Sequence, residues 1–156
     1  MVDRFERFSY AISEISRCWH RIAAEEMGEY NLKGSYSVYF TTMYRYPDGL
    51  TAAQLVESCS RDKADVSRAM ALLEKKGLVM RNEPDGKAYR ARIMLTPQGR
   101  VLAEHIKVKA EAAVERASQG LSAEKRAIFY EALGLITANL QTICKEGLSS
   151  RAEDEV

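Results

Sequence analysis

Large apolar residues recur at helical spacing over the first thirty positions. Intervals of three and four residues separate Phe5, Phe8, Ile12, Ile15, Trp19 and Ile22. Such a stripe is typical of a helix that packs lengthwise against another helix. The pattern predicts a long first helix ending near Gly28. A second helix is predicted to carry Tyr36, Tyr39, Phe40, Met43 and Tyr44, and Pro47, Asp48 and Gly49 end it.

Two short helices are predicted in the middle of the chain. Thr51 and Gln54 have the spacing of a capping box, which predicts a third helix over about 51–58. Asp62 can cap a fourth helix that runs to Lys76, with Gly77 as its stop. Because so few residues separate these helices, they must turn sharply against each other, as in a helix-turn-helix.

A hairpin and two long helices complete the predicted elements. Polar and apolar residues alternate in part over 78–82 and 88–95, around Asp85 and Gly86. Thr96 and Pro97 then start a helix that runs to about 119. Ser122 caps a last helix, whose stripe is Phe129, Leu133, Ile136, Leu140 and Ile143. Residues 147–156 form a polar tail that we expect to fray.

These elements predict a mainly α (α+β) fold built on a winged helix-turn-helix. We expect residues 31–96 to form the winged DNA-binding domain. Residues 1–30 and 97–146 are expected to form a helical dimerisation region. A chain of this size offers no obvious internal partner for two long apolar stripes, so pairing of two copies would cover them. A helical bundle within one chain is the alternative.

Composition excludes several classes of protein. The 156 residues carry 23 Lys plus Arg against 22 Asp plus Glu, and 46% are hydrophobic, as in a soluble globular protein. No stretch approaches 20 uncharged apolar residues and the N-terminus is charged, so we expect a cytoplasmic protein with no membrane partner. The three cysteines lie far apart in the sequence, with no Cys-x-x-Cys pair and only two histidines beside them, so no disulfide framework, metal site or cofactor is expected. No catalytic motif occurs, so an enzyme is not expected.

Charge is distributed unevenly along the chain. Residues 61–92 contain nine Lys or Arg and five Asp or Glu, a local charge of +4, which leaves −3 for the remainder. A basic centre between acidic flanks is typical of a DNA contact surface, although a solvated helix face can show the same imbalance.

The fourth helix has two chemically different faces. Val66, Met70 and Leu73 share an apolar side, whereas small and hydrogen-bonding residues lie opposite. Small side chains allow the backbone to approach base edges, and Arg68 can bond a guanine bidentately. The predicted DNA-contacting residues are Lys63, Ala64, Ser67, Arg68, Ala71 and Lys75 on this helix and Arg81, Lys87, Arg90 and Arg92 on the hairpin. A winged module that binds protein instead of DNA is the alternative.

Four segments stand in a distinctive order: LTAAQL at 50–55, KADVSR at 63–68, LEKKGLV at 73–79 and LTPQGR at 95–100. With a hairpin between the last two, they resemble the MarR (multiple antibiotic resistance regulator) family of transcriptional regulators. The resemblance implies a homodimer on a near-palindromic double-stranded operator, with the first, fifth and sixth helices interlocked. It also implies repression that a small aromatic or phenolic compound relieves.

The tip of the hairpin departs from the family pattern. Family members commonly carry Asp-x-Arg there, whereas the corresponding residues here are Asp85, Gly86 and Lys87. Lysine is a point charge without the planar fork of arginine, so phosphate attraction would survive while minor-groove readout weakens. Arg90 or Arg92 is an alternative leading residue of the wing.

Two sensing routes follow from the resemblance. Trp19, Tyr36, Tyr39, Met43 and Tyr44 combine apolar bodies with polar groups and are predicted to line an effector pocket. Ordinary core packing is the alternative for these residues. A cysteine-based redox sensor would use Cys18, with Arg21 on the same side of the helix, although a buried, inert thiol is the favoured interpretation.

Overall fold

The computed structural model describes residues 3–83, 86 and 91–148. The helices are α1 (Arg4–Gly28), α2 (Ser37–Tyr44), α3 (Ala52–Cys59), α4 (Lys63–Lys75), α5 (Pro97–Ala117) and α6 (Ala123–Glu146). The strands β1 (Val79–Asn82) and β2 (Arg92–Leu95) lie between α4 and α5. This order confirms the predicted mainly helical, winged architecture. One difference is that Tyr36 belongs to a 3-10 turn, Gly34–Tyr36, that precedes α2.

Side chains that the sequence predicts as caps begin α3, α4, α5 and α6. The Thr51 side chain accepts from the Gln54 amide at 3.2 Å, and Gln54 Oε1 accepts from the Thr51 amide at 2.9 Å, which completes the capping box of α3. Asp62 Oδ1 accepts from the Asp65 amide at 2.8 Å at the start of α4. Ser122 Oγ accepts from the Lys125 amide at 3.2 Å at the start of α6. These side chains satisfy first-turn amides that have no partner within the helix.

The two strands form an antiparallel hairpin in which Val79 faces Leu95 and Asn82 faces Arg92. Ala91, Ile93 and Leu95 are buried whereas Arg92 is exposed, which confirms the predicted alternation over these positions. The predicted second strand began at residue 88, but 87–90 lie outside the described residues. Leu50 adds a bridge to Ile93 through two backbone hydrogen bonds of 2.8 and 2.9 Å. This bridge joins the hairpin to the start of α3.

One core connects α2, α3, α4 and the hairpin. Its most deeply buried large side chains are Met27, Tyr39, Phe40, Met43, Leu55, Val66, Met70, Leu73 and Ile93. Leu102, Ala103 and Ile106 extend this core onto the first half of α5. The core therefore fixes the two helices of the helix-turn-helix to the hairpin that follows them.

Gly99 lies where α5 approaches the hairpin most closely. A Cβ atom at this position would stand 1.9 Å from the Leu78 carbonyl oxygen. The Thr96 hydroxyl donates to the Gly77 carbonyl at 2.6 Å and accepts from the Gly99 amide at 3.0 Å. The Thr-Pro-Gln-Gly segment therefore both caps α5 and allows it to lie against the backbone of the wing.

The chain divides into two compact units, one ending at Glu111 and one beginning at Ala112. In the second unit, Arg126 donates to both carboxylate oxygens of Glu115 at 3.1 and 3.4 Å. No residue of α6 is buried, and its stripe residues are 37–45% exposed.

The composition of α6 differs from the expectation that no segment would suit a membrane. Among the described residues, α6 is long and apolar enough to meet the length and hydropathy criteria for a membrane span. Glu131 and Gln141 nevertheless lie on the side opposite the stripe by helical geometry. A single helix of this kind is weak evidence for a membrane span.

Candidate nucleic-acid interface

A tight turn sets α4 against α3. Ser60 takes a left-handed conformation with φ of 50°, and the Arg61 amide donates to the Val56 carbonyl at 3.1 Å. Asp62 then starts α4 in a new direction. The buried residues of α4 are Val66, Ala69, Met70 and Leu73. Since one face of α4 is held in the core, its opposite face has a fixed orientation.

The opposite face of α4 is exposed along its whole length. Its exposed residues include all six that the sequence predicts to contact DNA on this helix: Lys63, Ala64, Ser67, Arg68, Ala71 and Lys75. Ala64, Ser67 and Ala71 form a strip of small side chains, and Lys63 and Lys75 stand at its two ends. Lys75 lies twelve positions after Lys63 on the helix, a rise of about 18 Å. The surface combines close backbone access with positive charge, as a major-groove helix requires.

Two of the predicted hairpin residues make contacts within the chain. Arg81 Nε lies 3.2 Å from Glu74 Oε2, so this exposed pair joins β1 to α4. Arg92 Nη1 donates to the Gly49 carbonyl at 3.1 Å and so braces β2 against the turn before α3. Lys87 and Arg90 lie outside the described residues, as does Asp85. The leading residue of the wing therefore stays a prediction.

Asp65 connects the exposed face of α4 to the core. Its Oδ2 atom accepts from the buried Tyr39 hydroxyl at 2.9 Å, and its Oδ1 atom lies 3.9 Å from Arg68 Nη2. Burial and the neighbouring carboxylate raise the pKa of Tyr39 further above its ordinary value, so its hydroxyl is a persistent donor to Asp65. Patterns within a single helix do not reveal this contact, because 26 residues separate its partners.

Solved structures of the same architecture are similar over most of the chain. A MarR-family regulator from Listeria monocytogenes, solved with a 26-mer DNA, has a TM-score of 0.79 at 23% identity and covers 94% of this chain and 97% of its own. A MarR-family regulator from Silicibacter pomeroyi has a TM-score of 0.74 at 23% identity, and the match covers 88% of this chain and 92% of that one. The DNA complex of S. aureus MepR has a TM-score of 0.76 at 22% identity, and the match covers 85% of this chain and 97% of that one. No protein-family model and no curated protein matches the sequence.

This chain has the MarR fold. The element order agrees with the fold implied by the four sequence segments.

A cavity of about 210 Å³ opens between α1, α2 and α5 of this MarR fold. Its walls are mainly apolar, and the lining residues are Trp19, Ile22, Ala23, Glu26, Ser37, Val38, Thr41, Ile106, Lys109 and Ala110. Glu26 and Lys109 form an ion pair of 3.3 Å there. A second, more open cavity of about 380 Å³ shares Glu26, Ile106 and Lys109.

The predicted pocket residues occupy different places. Trp19 lines the smaller cavity. Tyr36, Tyr39 and Met43 are buried in the core instead, in line with the alternative interpretation given to them. Tyr44 donates its hydroxyl to Glu104, and its ring faces Arg100 and Lys107. The sequence carries a signal for two other residues that line the smaller cavity, Ser37 and Thr41. They are four residues apart and therefore share one face of α2.

The environment of Cys18 differs from the favoured expectation of a buried thiol. Cys18 is exposed, and its nearest cation is Arg17, whose Nη2 lies 3.7 Å from the sulfur. Arg21 pairs with Glu25 instead. Glu14 accepts two hydrogen bonds from Arg17 at 2.7 and 3.0 Å, and these lower the pKa of Glu14. Because Arg17 already serves a carboxylate, the positive charge available to the thiol is reduced.

Cys59 is the buried cysteine of the three. Burial raises the pKa of its thiol, which donates to the Thr42 hydroxyl at 3.5 Å. Cys144 is exposed on α6. At Cys59 the effect of burial outweighs the favourable charges of Arg61 and Arg45, so the reactive thiolate is disfavoured.

Proposed function

We propose that this protein is a transcriptional regulator that binds double-stranded DNA in a sequence-specific manner from the cytoplasm. The exposed face of α4 carries the proposal. It presents small side chains, Ser67 and Arg68 on a helix whose other face is fixed in the core. The DNA complexes of structures with the same fold support this role. Base-edge contacts would supply specificity, and Lys63 and Lys75 would contact phosphates.

The acting species is a homodimer on a near-palindromic operator. Its support is the exposure of two apolar stripes, one on α1 and one on α6. The stripe residues of α1 are 41–72% exposed: Phe5, Phe8, Ile12, Ile15, Trp19 and Ile22. Contiguous exposed apolar surface of this kind marks an association site. A two-fold dimer would present two α4 helices to one duplex, about one helical turn apart.

Repression that a small molecule relieves is the second part of the proposal. The cavity beside Trp19 supports it, since apolar walls with a few polar groups are typical of ligand sites. About 210 Å³ is below the range of roughly 300–1,000 Å³ for drug-sized ligands, so the effector would be a compact compound such as a single aromatic ring. Ser37, Val38 and Thr41 of α2 line this cavity, and α2 also carries Tyr39, which contacts α4.

Selection of duplexes from a randomised library tests the DNA-binding role. We expect the recovered sequences to share a near-palindrome. Affinity for it should fall with rising salt, by about 0.9 in log K per unit of log salt for each phosphate contacted. A protein-binding winged module would recover no common sequence, and its association with DNA at low salt would show no preference among duplexes.

A further inference from the structure

We propose that Tyr39 and Asp65 position Arg68 for base recognition, so that a buried hydroxyl contributes to DNA specificity without touching DNA. This inference rests on the DNA-binding function proposed above. It concerns which residues set the specificity of α4.

The three groups form a continuous series from the core to the surface. Tyr39 is fully buried, and its ring packs against that of Tyr36 with centroids 5.8 Å apart. The Asp65 side chain is 32% exposed and that of Arg68 is 70% exposed. Because the core fixes the phenol ring, the hydroxyl of Tyr39 fixes the carboxylate that accepts from it at 2.9 Å.

The geometry leaves Arg68 oriented and still available. One Asp65 oxygen is engaged by Tyr39, and the other lies 3.9 Å from Arg68 Nη2, beyond a short hydrogen bond. A carboxylate free to rotate could take both N–H groups of a guanidinium in a bidentate pair. Such a pair would occupy the fork that a guanine requires. Tyr39 therefore prevents Asp65 from capturing Arg68 while the negative charge still orients the guanidinium.

Stability alone does not account for this arrangement. An exposed ion pair three residues apart on a helix contributes little to the free energy of unfolding. The consequence of losing it should therefore appear in discrimination between DNA sequences more than in folding.

Competition between a duplex selected by the wild-type protein and its scrambled version provides the test. The measured quantity is the ratio of the affinity for the selected duplex to that for the scrambled duplex. We expect Tyr39→Phe to lower this ratio by about three- to fivefold, which corresponds to an exposed charge interaction of up to about 1 kcal/mol. Tyr36→Phe is the matched control, because it removes a hydroxyl from the adjacent buried ring, and it should leave the ratio unchanged. Asp65→Asn should lower the ratio and raise affinity for the scrambled duplex, since it removes a negative charge near the phosphates.

The Arg68→Ala background separates positioning from other roles. In that background we expect Tyr39→Phe to change the ratio no further, because the two substitutions act through one contact. If the effect of Tyr39→Phe persists there, Asp65 itself reads a base, for instance a cytosine amino group, and the inference is wrong. Equal losses for both duplexes, or no loss at all in Tyr39→Phe and Asp65→Asn, would also overturn it. Failure of the wild-type protein to prefer any duplex would instead overturn the proposed function.

Discussion

The winged module and the terminal helices differ in how much of their apolar surface is buried within the chain. α4 buries four of its 13 residues against a core shared with α2, α3 and the hairpin. α6 is nearly twice as long and buries none of its 24 residues. Both helices carry apolar residues at helical spacing, so periodicity in the sequence does not distinguish them. What differs is where the partner surface lies: within the chain for α4 and, we propose, on a second copy for α6.

This difference separates two sources of stability. Packing in the winged module belongs to one chain, so it does not depend on protein concentration. Burial of the α1 and α6 stripes in a dimer would make stability concentration-dependent. Substitutions in the two regions should therefore produce different signatures.

The largest effect is expected for Leu140→Asp on the α6 stripe. In a symmetric dimer the substitution occurs twice, and each copy loses roughly 1.5–3 kcal/mol of side-chain burial and places a charge in an apolar interface. We expect association to weaken by about 5 kcal/mol or more, measured by sedimentation equilibrium. Leu148→Asp is the matched control, because Leu148 lies beyond α6 and is 81% exposed. Equal dimer affinities for the two variants would refute the role of the stripe.

Gly99 and Gly134 should respond to alanine with opposite signs. A Cβ at Gly99 would collide with the Leu78 carbonyl, so Gly99→Ala should lower the free energy of unfolding by about 3 kcal/mol or more. A Cβ at Gly134, in α6, meets no atom within 4 Å, so Gly134→Ala should raise it by about 0.5–1 kcal/mol through helix propensity. Urea titration of both variants at one protein concentration measures the pair. A stable Gly99→Ala variant would contradict the close packing of α5 on the wing.

Two adjacent leucines on α4 test whether one face of this helix is held in the core. Leu73 is fully buried and Leu72 is 36% exposed. We expect Leu73→Ala to cost about 3 kcal/mol through lost burial and the cavity left behind. Leu72→Ala should cost less than about 1 kcal/mol, because its side chain already meets solvent. Similar urea midpoints for the two variants would show that α4 is not held as described.

Arg68→Ala probes the exposed face directly. We expect a loss of about 1–3 kcal/mol in affinity for the selected duplex and a relaxed base preference, with the fold intact. Lys145→Ala, near the end of α6, is a control of equal charge change. Anisotropy titrations on selected and scrambled duplexes measure both. Unchanged affinities for Arg68→Ala would remove this residue from the reading surface.

The smallest effect concerns thiol chemistry. Cys18 is exposed beside an arginine already paired with Glu14, whereas burial raises the pKa of Cys59. We expect Cys18 to be alkylated at neutral pH about as fast as free cysteine, and Cys59 to react only after unfolding. Mass spectrometry of timed alkylation distinguishes the two sites. A Cys18 that reacts many times faster than free cysteine would revive a redox-sensing role.

Local signals in the sequence were sufficient for the helices, because caps and periodicity act within a few residues. Thr51 with Gln54, Asp62 and Ser122 each begin the helix predicted for them. The exposed face of α4 was likewise predictable from helical geometry. Contacts between distant segments were not predictable in this way, because the Leu50–Ile93 bridge and the Tyr39–Asp65 hydrogen bond depend on tertiary packing. For the same reason helical spacing left two interpretations open for Tyr36, Tyr39 and Met43, an effector pocket or ordinary core, and the structure buries all three.

Sedimentation velocity of the protein alone and with its selected duplex measures both dimer formation and binding to DNA. We predict a species of twice the 17.6 kDa chain mass, and a complex of two chains per duplex that dissociates as salt rises. A protein that stays at the single-chain mass at micromolar concentration, or that fails to shift any duplex at low ionic strength, would contradict the proposal of a DNA-binding homodimer.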